Sequence, residues 1–426
     1  MSFKKELSLK INSKTAKIGI IGLGYVGLPL AIAFAKKKYF VIGFDLDKSK
    51  INKLKKSQSY LGHISNSSLK KIKCSSYFTF EAEEINKVNI IILCLPTPLK
   101  NNNEPDLSYL KNTIKNIQKY LTKGQLIIIE SSTYPGSTKE LLDPILQNKK
   151  FIVGKDFFIG YSPEREDPNN KKFTLEKIPK IVSGYTKDCL GLTKNIYSKI
   201  INKVVKVDNI ETAEFTKLFE NTYRSVNIAL VNELKILAKK TNLDINKIIS
   251  AAKTKPFGFQ AFMPGPGVGG HCIPVDPYYL NWFANRNKIK LKFIEHAGKI
   301  NKLMPKWIIK ESEKIKKIKQ ALILGITYKK NISDTRESPA IDFIKILTKK
   351  NIKVDYHDPF VQVLKTRKLK KILKSVNLKN IGKYDIVYLL TDHDCLNYEY
   401  IKKNSKLIID TKNIYKKEIN NKIIKL

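Results

Sequence analysis

The sequence predicts an α/β protein of two doubly wound domains joined by a long central helix. Three observations carry that expectation. Near the N-terminus a short apolar strand runs directly into a Gly-x-Gly-x-x-Gly turn and an apolar helix. Residues 209–240 then keep apolar side chains at helical spacing. After residue 320, short apolar segments again alternate with helical ones. At 426 residues the chain exceeds one ordinary core, and the expected divisions are 1–208, 209–317 and 318–426.

Residues 1 to about 15 read as a polar, lysine-bearing lead-in, expected to be poorly ordered. The strand at 16–21 meets Gly22-Leu23-Gly24-Tyr25-Val26-Gly27, and a helix continues through Phe34. That context makes the first domain Rossmann-like: Gly22 makes the tight turn, Gly24 lets a pyrophosphate approach, and Gly27 lets helix pack on strand. The next strand, 40–45, ends in Asp45, the acid expected at a ribose 2′-hydroxyl, which favours NAD over NADP. Lys48 and Lys50 follow closely, and Lys50 is counted with the cofactor contacts. Strands are expected at 88–95, 124–130 and 157–161. Ligands sit outside the carboxyl ends of such strands, so Thr97, Ser132 and Thr133 should line the cofactor crevice. Ser162-Pro-Glu164-Arg165-Glu-Asp167 crowds three acids beside an arginine and reads either as a solvated loop or as part of a site.

The helix at 209–240 carries Lys217 and Asn221 four apart, hence on one face. Its apolar residues, among them Phe215, Leu218, Phe219, Ile228 and Leu230, exceed what one domain needs and suggest a homodimer or higher oligomer. A shorter helix, 244–253, leads into a loop at 264–277 with four glycines, four prolines and a single thiol, Cys272. Gly265, Gly267, Gly269 and Gly270 permit close approach to a ligand, and the prolines stiffen the loop. Asp276 follows four residues after the thiol. This pattern suits either a presented nucleophile or a buried structural cysteine. The second α/β half has strands at 321–326, 352–356, 385–390 and 407–410, with Ser338-Pro339 starting a helix.

The net charge of +41 invites a polyanion-binding alternative with a non-catalytic nucleotide fold. Against it, the arginines number only five (Arg165, Arg224, Arg286, Arg336 and Arg367), and the lysines spread along the whole chain. The five cysteines are dispersed and odd in number, which argues against a disulfide framework and a structural zinc site and fits a cytoplasmic protein. No apolar run approaches the ~18 residues of a membrane span.

Three motifs together resemble the UDP-glucose/GDP-mannose dehydrogenase family of nucleotide-sugar 6-dehydrogenases. They are Glu214-Phe-Thr-Lys217-Leu-Phe-Glu-Asn221, Gly-Gly-His-Cys-Ile-Pro-Val-Asp at 269–276, and the segment from Tyr328 to Pro339. The resemblance runs from about Lys17 to Asn413 and is greatest to the bacterial branch acting on UDP-N-acetylhexosamines. It implies NAD as cofactor, no metal, and a third domain that binds the UDP-sugar. UDP-N-acetylglucosamine is the first expected substrate, with UDP-N-acetylgalactosamine or UDP-glucose as alternatives and surface polysaccharides such as O-antigen or capsule as destination. By position, Cys272 matches the nucleophile and Asp276 its acidic neighbour. Lys217 and Asn221 match residues holding sugar and oxyanion, and Thr133 and Glu164 those ordering the catalytic water. Lys329 matches a substrate contact and Arg336 a cofactor contact made across a subunit interface; Glu164, Arg165, Gly265, Gly267 and Gly269 are counted with the substrate-binding residues. One departure is Asp410-Thr-Lys412, where relatives often have arginine; lysine keeps the charge and loses the bidentate fork. A two-electron hydroxyacid dehydrogenase would share the first domain and a lysine-asparagine pair but would need neither Cys272 nor the second α/β half.

Overall fold

The computed structural model describes residues 1–147, 150–166, 170, 173–366, 368–369, 371–416 and 421–426; Asp167, the last residue of the acid loop, lies outside them. The chain forms two compact units. The first takes Met1–Glu220 with Tyr278–Asn287, the second Asn221–Pro277 with Lys288–Leu426.

The first unit is built on an eight-stranded sheet. Its strands are β1 (Ile18–Ile21), β2 (Val41–Phe44), β3 (Ser76–Thr79), β4 (Ile90–Leu93), β5 (Leu126–Ile129), β6 (Phe158–Tyr161), β7 (Lys180–Gly184) and β8 (Val204–Lys206). They lie in the order β3-β2-β1-β4-β5-β6-β7-β8. Among these eight described strands, β6 and β7 are the pair that runs antiparallel. β1, β2, β4, β5 and β6 are buried along their whole length, as strands covered on both faces must be. The order reverses between β1 and β4, which opens the crevice where a doubly wound sheet binds ligands.

The helices are α1 (Phe3–Asn12), α2 (Gly27–Lys36), α3 (Lys48–Lys55), α4 (Asn66–Lys71), α5 (Ser108–Ile117), α6 (Ser137–Leu146), α7 (Lys187–Tyr197) and α8 (Ile210–Lys240); the unit boundary falls inside α8. α1 corrects the expected poorly ordered lead-in. Ser2 caps it, Leu7 and Ile11 enter the core, and Tyr39 donates to the Ile11 carbonyl at 2.7 Å. Phe3, Leu7 and Ile11 recur every fourth residue, a helical stripe hidden among lysines. Leu218, expected on an interface, is instead fully buried.

The second unit adds α9 (Ile245–Ala252) and the start of α10 (Asp276–Arg286), then α11 (Lys292–Glu313), α12 (Pro339–Lys349) and α13 (Tyr398–Asn404). Its strands are β9 (Gln320–Leu324), β10 (Lys353–His357), β11 (Val363–Leu364), β12 (Leu373–Lys374), β13 (Ile386–Leu389), β14 (Ile408–Asp410) and β15 (Ile423–Lys425). A parallel sheet runs β10-β9-β13-β14-β15, and β11 pairs with β12 apart from it. Ser338 caps α12 with Pro339 in its first turn, as the sequence suggests. No helix among the described residues is long and apolar enough to cross a membrane.

Candidate active site

β1 turns at Gly22, whose φ of +92° is the left-handed region open to glycine. A Cβ there would meet the Cys94 carbonyl oxygen at 2.5 Å, and one on Gly27 would meet the Gly22 oxygen at 1.9 Å. Gly24 differs, since a Cβ on it would meet nothing within 4 Å. Val26 precedes α2 without a side-chain cap, and the Leu28 N–H meets the Gly24 carbonyl at 3.2 Å, so no side chain covers the positive helix end where an anion would sit. Asp45 Oδ2 accepts from the Leu23 N–H at 3.0 Å and from Lys50 Nζ at 3.1 Å, while Oδ1 accepts from the Asp47 N–H at 3.0 Å. Tyr60 donates to the Leu23 carbonyl, and Tyr25 stacks on His63 with ring centres 5.5 Å apart. The bare Gly24, the uncapped helix end and the acid closing β2 fit the pyrophosphate and ribose of NAD. Tyr60 and His63 lie in a connector without a motif, and sequence reasoning passed over them.

Beyond β5, Ser131 Oγ donates to the Leu95 carbonyl at 2.7 Å and accepts the Leu95 N–H at 3.0 Å, fastening the ends of β4 and β5. Thr97 offers its carbonyl to Tyr279 at 3.1 Å. Ser132 is half-buried and Thr133 fully buried. α6 begins after Gly136, which has no side chain to cap it, and Glu214 of α8 does so instead. Its carboxylate accepts from Gly136 N (2.7 Å), Ser137 Oγ (2.9 Å), Thr138 N (2.8 Å), Thr138 Oγ1 (2.6 Å) and Thr133 Oγ1 (3.4 Å). Burial pushes the Glu214 pKa up to about 7, against the pull of these donors. Lys217, also buried, follows one turn later on the same helix.

After β6, Glu164 Oε1 accepts the Arg165 N–H at 2.7 Å and the Glu166 N–H, and Oε2 accepts from Lys180 Nζ at 3.2 Å. Lys180 also meets Glu130 Oε1 at 3.0 Å, an oxygen to which Tyr197 donates. Burial raises the pKa of Glu130 and of Glu166. Burial pushes Glu164 the same way, yet the Lys180 ammonium, the Glu166 N–H and Lys217 hold it below the usual value. Arg165 is engaged within the protein, on Glu220 at 3.2 and 2.6 Å and on the Pro179 carbonyl at 2.8 Å.

In the second unit the loop at 264–277 is fastened from both sides. Buried Asn232 accepts the Gly265 N–H at 2.9 Å and donates to Asn301 at 3.0 Å; Asn301 donates in turn to the Ser225 carbonyl at 3.0 Å. Gly267 takes φ +123° and Gly270 φ +92°, and the Gly270 N–H donates to the Arg336 carbonyl at 3.0 Å. A Cβ on Gly269 would lie 2.5 Å from Tyr328 Cβ. Cys272 is half-buried, and its carbonyl accepts the Asp276 N–H at 2.8 Å, so the thiol stands one turn ahead of α10. Asp276 Oδ2 accepts from Asn221 Nδ2 at 2.6 Å. Gly267, Gly269, Thr327, Tyr328, Thr391 and Lys412 line a crevice at the carboxyl ends of β9, β13 and β14.

Lys329 follows this crevice and is half-buried; its carbonyl accepts from Thr327 at 3.0 Å. His393 Nδ1 accepts the Asn331 N–H at 3.0 Å, so its proton sits on Nε2 and is donated to Asp358 at 3.1 Å. That buried pair holds the Lys329 loop. Arg336 forks onto Asp334 at 2.9 and 2.6 Å with its side chain 44% exposed. Lys235 of α8 is buried near Asp410 and Lys412. Burial first, with Lys412 adding and Asp410 opposing, drives its pKa down to about 7. Among the described residues no cluster of three or more His, Cys, Asp or Glu could hold a metal ion.

Three domain descriptions of the UDP-glucose/GDP-mannose dehydrogenase family match this chain: the NAD-binding domain at 16–201, the central domain at 211–303 and the UDP-binding domain at 322–417. A UDP-N-acetyl-D-glucosamine 6-dehydrogenase of Salmonella typhi is 38% identical, over 88% of this chain and 90% of its own. One from Pseudomonas aeruginosa is 37% identical, over 82% and 84%. The solved structure of a UDP-D-ManNAc dehydrogenase from Pyrococcus horikoshii superposes with a TM-score of 0.84 at 32% identity, covering 94% of this chain and 96% of that one. The chain belongs to the UDP-glucose/GDP-mannose dehydrogenase family and is an NAD-dependent nucleotide-sugar oxidoreductase.

Proposed function

We propose that this dehydrogenase oxidises the C6 hydroxyl of a UDP-N-acetylhexosamine to the carboxylate, with UDP-N-acetylglucosamine as first substrate and Cys272 as nucleophile. The enzymes named for UDP-N-acetyl-D-glucosamine at 38% and 37% identity support that sugar, and the one named for UDP-D-ManNAc supports the hexosamine class. The observation that carries the chemistry is Cys272 itself. It stands on a loop fixed by Asn232 and Arg336, one turn ahead of the Asp276–Asn221 pair.

When bound, NAD⁺ supplies the hydride acceptor for each of the two oxidations, held by Gly22–Gly27, Asp45 and the neighbouring strand ends. The first oxidation leaves an aldehyde, which carries no readily lost hydride until a nucleophile adds. The Cys272 thiolate adds to that carbonyl, giving a thiohemiacetal whose oxidised form is a thioester. The Lys217 ammonium and the Asn221 amide serve the oxyanion. Glu164 and Thr133 order the water that cleaves the thioester and returns the thiolate.

The test is NADH formed per sugar against a panel of UDP- and GDP-sugars, with Cys272→Ser and Cys272→Ala assayed beside the wild type. Two NADH per UDP-N-acetylglucosamine are expected, with folded variants that bind both ligands and lose roughly 10³-fold or more in uronate formation. One NADH per sugar, or a Cys272→Ala enzyme of normal rate, refutes the mechanism.

A further inference from the structure

We infer that Lys180 is a positioning residue that keeps Glu164 ionised and oriented, and thereby sets the pH range over which the acyl group leaves Cys272. The inference rests on Glu164 ordering the hydrolytic water, as proposed above.

Lys180 opens β7, at the one antiparallel seam of the first sheet, and its side chain is only 4% exposed. An ammonium so buried must be paired, because removing it from water without a partner costs several kcal/mol. Its partners are Glu130, which closes the sheet end of β5, at 3.0 Å and Glu164 at 3.2 Å, with the Tyr197 ring 5.3 Å away. Glu130 is fully buried and already holds the Tyr197 hydroxyl. Glu164 is the half-buried member, so it is the carboxylate of this group that can meet a substrate or a water.

The groups around Glu164 come from every neighbouring element. Lys180 on β7 and Lys217 on α8 favour its charge. Glu130 after β5 and Glu166 on its own segment are acids that burial drives toward their neutral forms. Half-buried Cys94 after β4 and fully buried Tyr197 on α7 are groups whose pKa values burial raises, so they stay neutral. Arg165 is occupied by Glu220. Lys180 is therefore the nearest charge that offsets the burial of Glu164. Without it the carboxylate stands between two acids in a poorly solvated place, and its protonated form gains.

The step concerned is balanced as follows. Water oxygen bonds to the acyl carbon, one water proton passes to Glu164, and the C–S bond breaks to return the Cys272 thiolate. A protonated Glu164 cannot accept that proton. Rate should therefore rise with pH through the ionisation of Glu164, and losing Lys180 should move that limb upward.

The experiment follows kcat against pH, and the acyl-enzyme fraction by intact mass after quenching, for the wild type, Lys180→Met, Lys180→Arg and Glu164→Gln. Lys180→Met should shift the acid limb upward by about one pH unit or more, the effect of removing an opposite charge at this range. It should accumulate acyl-enzyme below that limb and leave KM for the UDP-sugar within about twofold of wild type, and Lys180→Arg should restore the profile. Lys180→Gln, which keeps a hydrogen-bond donor in place, makes the same comparison if the Met variant does not fold. Coincident limbs in wild type and the neutral variant, while Glu164→Gln slows hydrolysis, overturn the role of Lys180 and leave that of Glu164 standing. A Glu164→Gln enzyme that hydrolyses normally overturns both.

Discussion

Replacing Glu214 by glutamine exchanges one carboxylate oxygen for an amide NH₂ and should destabilise the first unit measurably. The carboxylate accepts from five donors, and two of them, the Gly136 and Thr138 N–H groups at the start of α6, cannot accept in return. Glutamine keeps one accepting oxygen. If that oxygen serves Thr138 and Ser137, the amide NH₂ points at the Gly136 N–H, which then lies buried without an acceptor. A lost hydrogen bond to a charged group is worth about 1.5–3 kcal/mol, and an unmet buried donor costs about 1–3 kcal/mol more. These losses are partly offset, because a pKa raised to about 7 means the folded state gives up about 3 kcal/mol to hold the charge at pH 8; the net cost expected is roughly 2 kcal/mol, or about 4–8 °C in the Tm of a unit this size. Glu214→Ala removes the cap outright and should cost at least as much. The assay is calorimetry of wild type and both variants at pH 8, where the wild-type carboxyl is charged. A Glu214→Gln transition within one or two degrees of wild type would show that this carboxylate does not hold α6.

Two further outcomes are expected. Lys235 should make stability rise with pH in an unusual window. Below about pH 7 folded and unfolded chains both hold its proton; between about 7 and the ordinary value of 10.5 only the unfolded chain does, so the folded state gains up to about 4–5 kcal/mol across that interval. Lys235→Met should be the more stable protein at pH 7, and its advantage should shrink toward pH 10; a constant difference in urea midpoints would refute this. For self-association, Phe219, Leu230, Leu234 and Leu237 are 59, 52, 43 and 57% exposed along α8, an apolar run of the kind that marks an interaction surface. At least a homodimer is expected, and a concentration-independent monomer by light scattering would refute it.

The features that sequence reasoning located share a local signal. β1, Gly22–Gly27 and α2 are contiguous, and each glycine has a steric or spatial reason that the structure displays, from the Gly22–Gly27 contact to the open face of Gly24. Ser338-Pro339 announces α12 for the same reason, since a cap is a property of neighbouring residues. What stayed hidden depends on distance or on dilution. The donors gathered by Glu214 lie 76 to 81 residues away, so no spacing announces them. Lys180 and Lys235 are buried, but in a chain of net charge +41 each looks like one more solvated lysine. α1 was overlooked for a related reason: its stripe of Phe3, Leu7 and Ile11 is diluted by the lysines around it. Asn221 and Asp276 stand out by motif, but their 2.6 Å contact depends on the fold bringing α8 to the start of α10.

Asp45 has a consequence for anyone wishing to redesign the enzyme. Its two oxygens are already held by the Leu23 and Asp47 N–H groups and by Lys50, so the acid that would receive the ribose is pinned before NAD arrives. Binding is spared the roughly 0.5–1.5 kcal/mol of ordering that a loose side chain would add. The same bonds brace the glycine turn through Leu23. Exchanging Asp45 to welcome a 2′-phosphate would thus slacken the pyrophosphate loop as well, and a change of coenzyme in this scaffold needs a second residue to take over the Leu23 N–H.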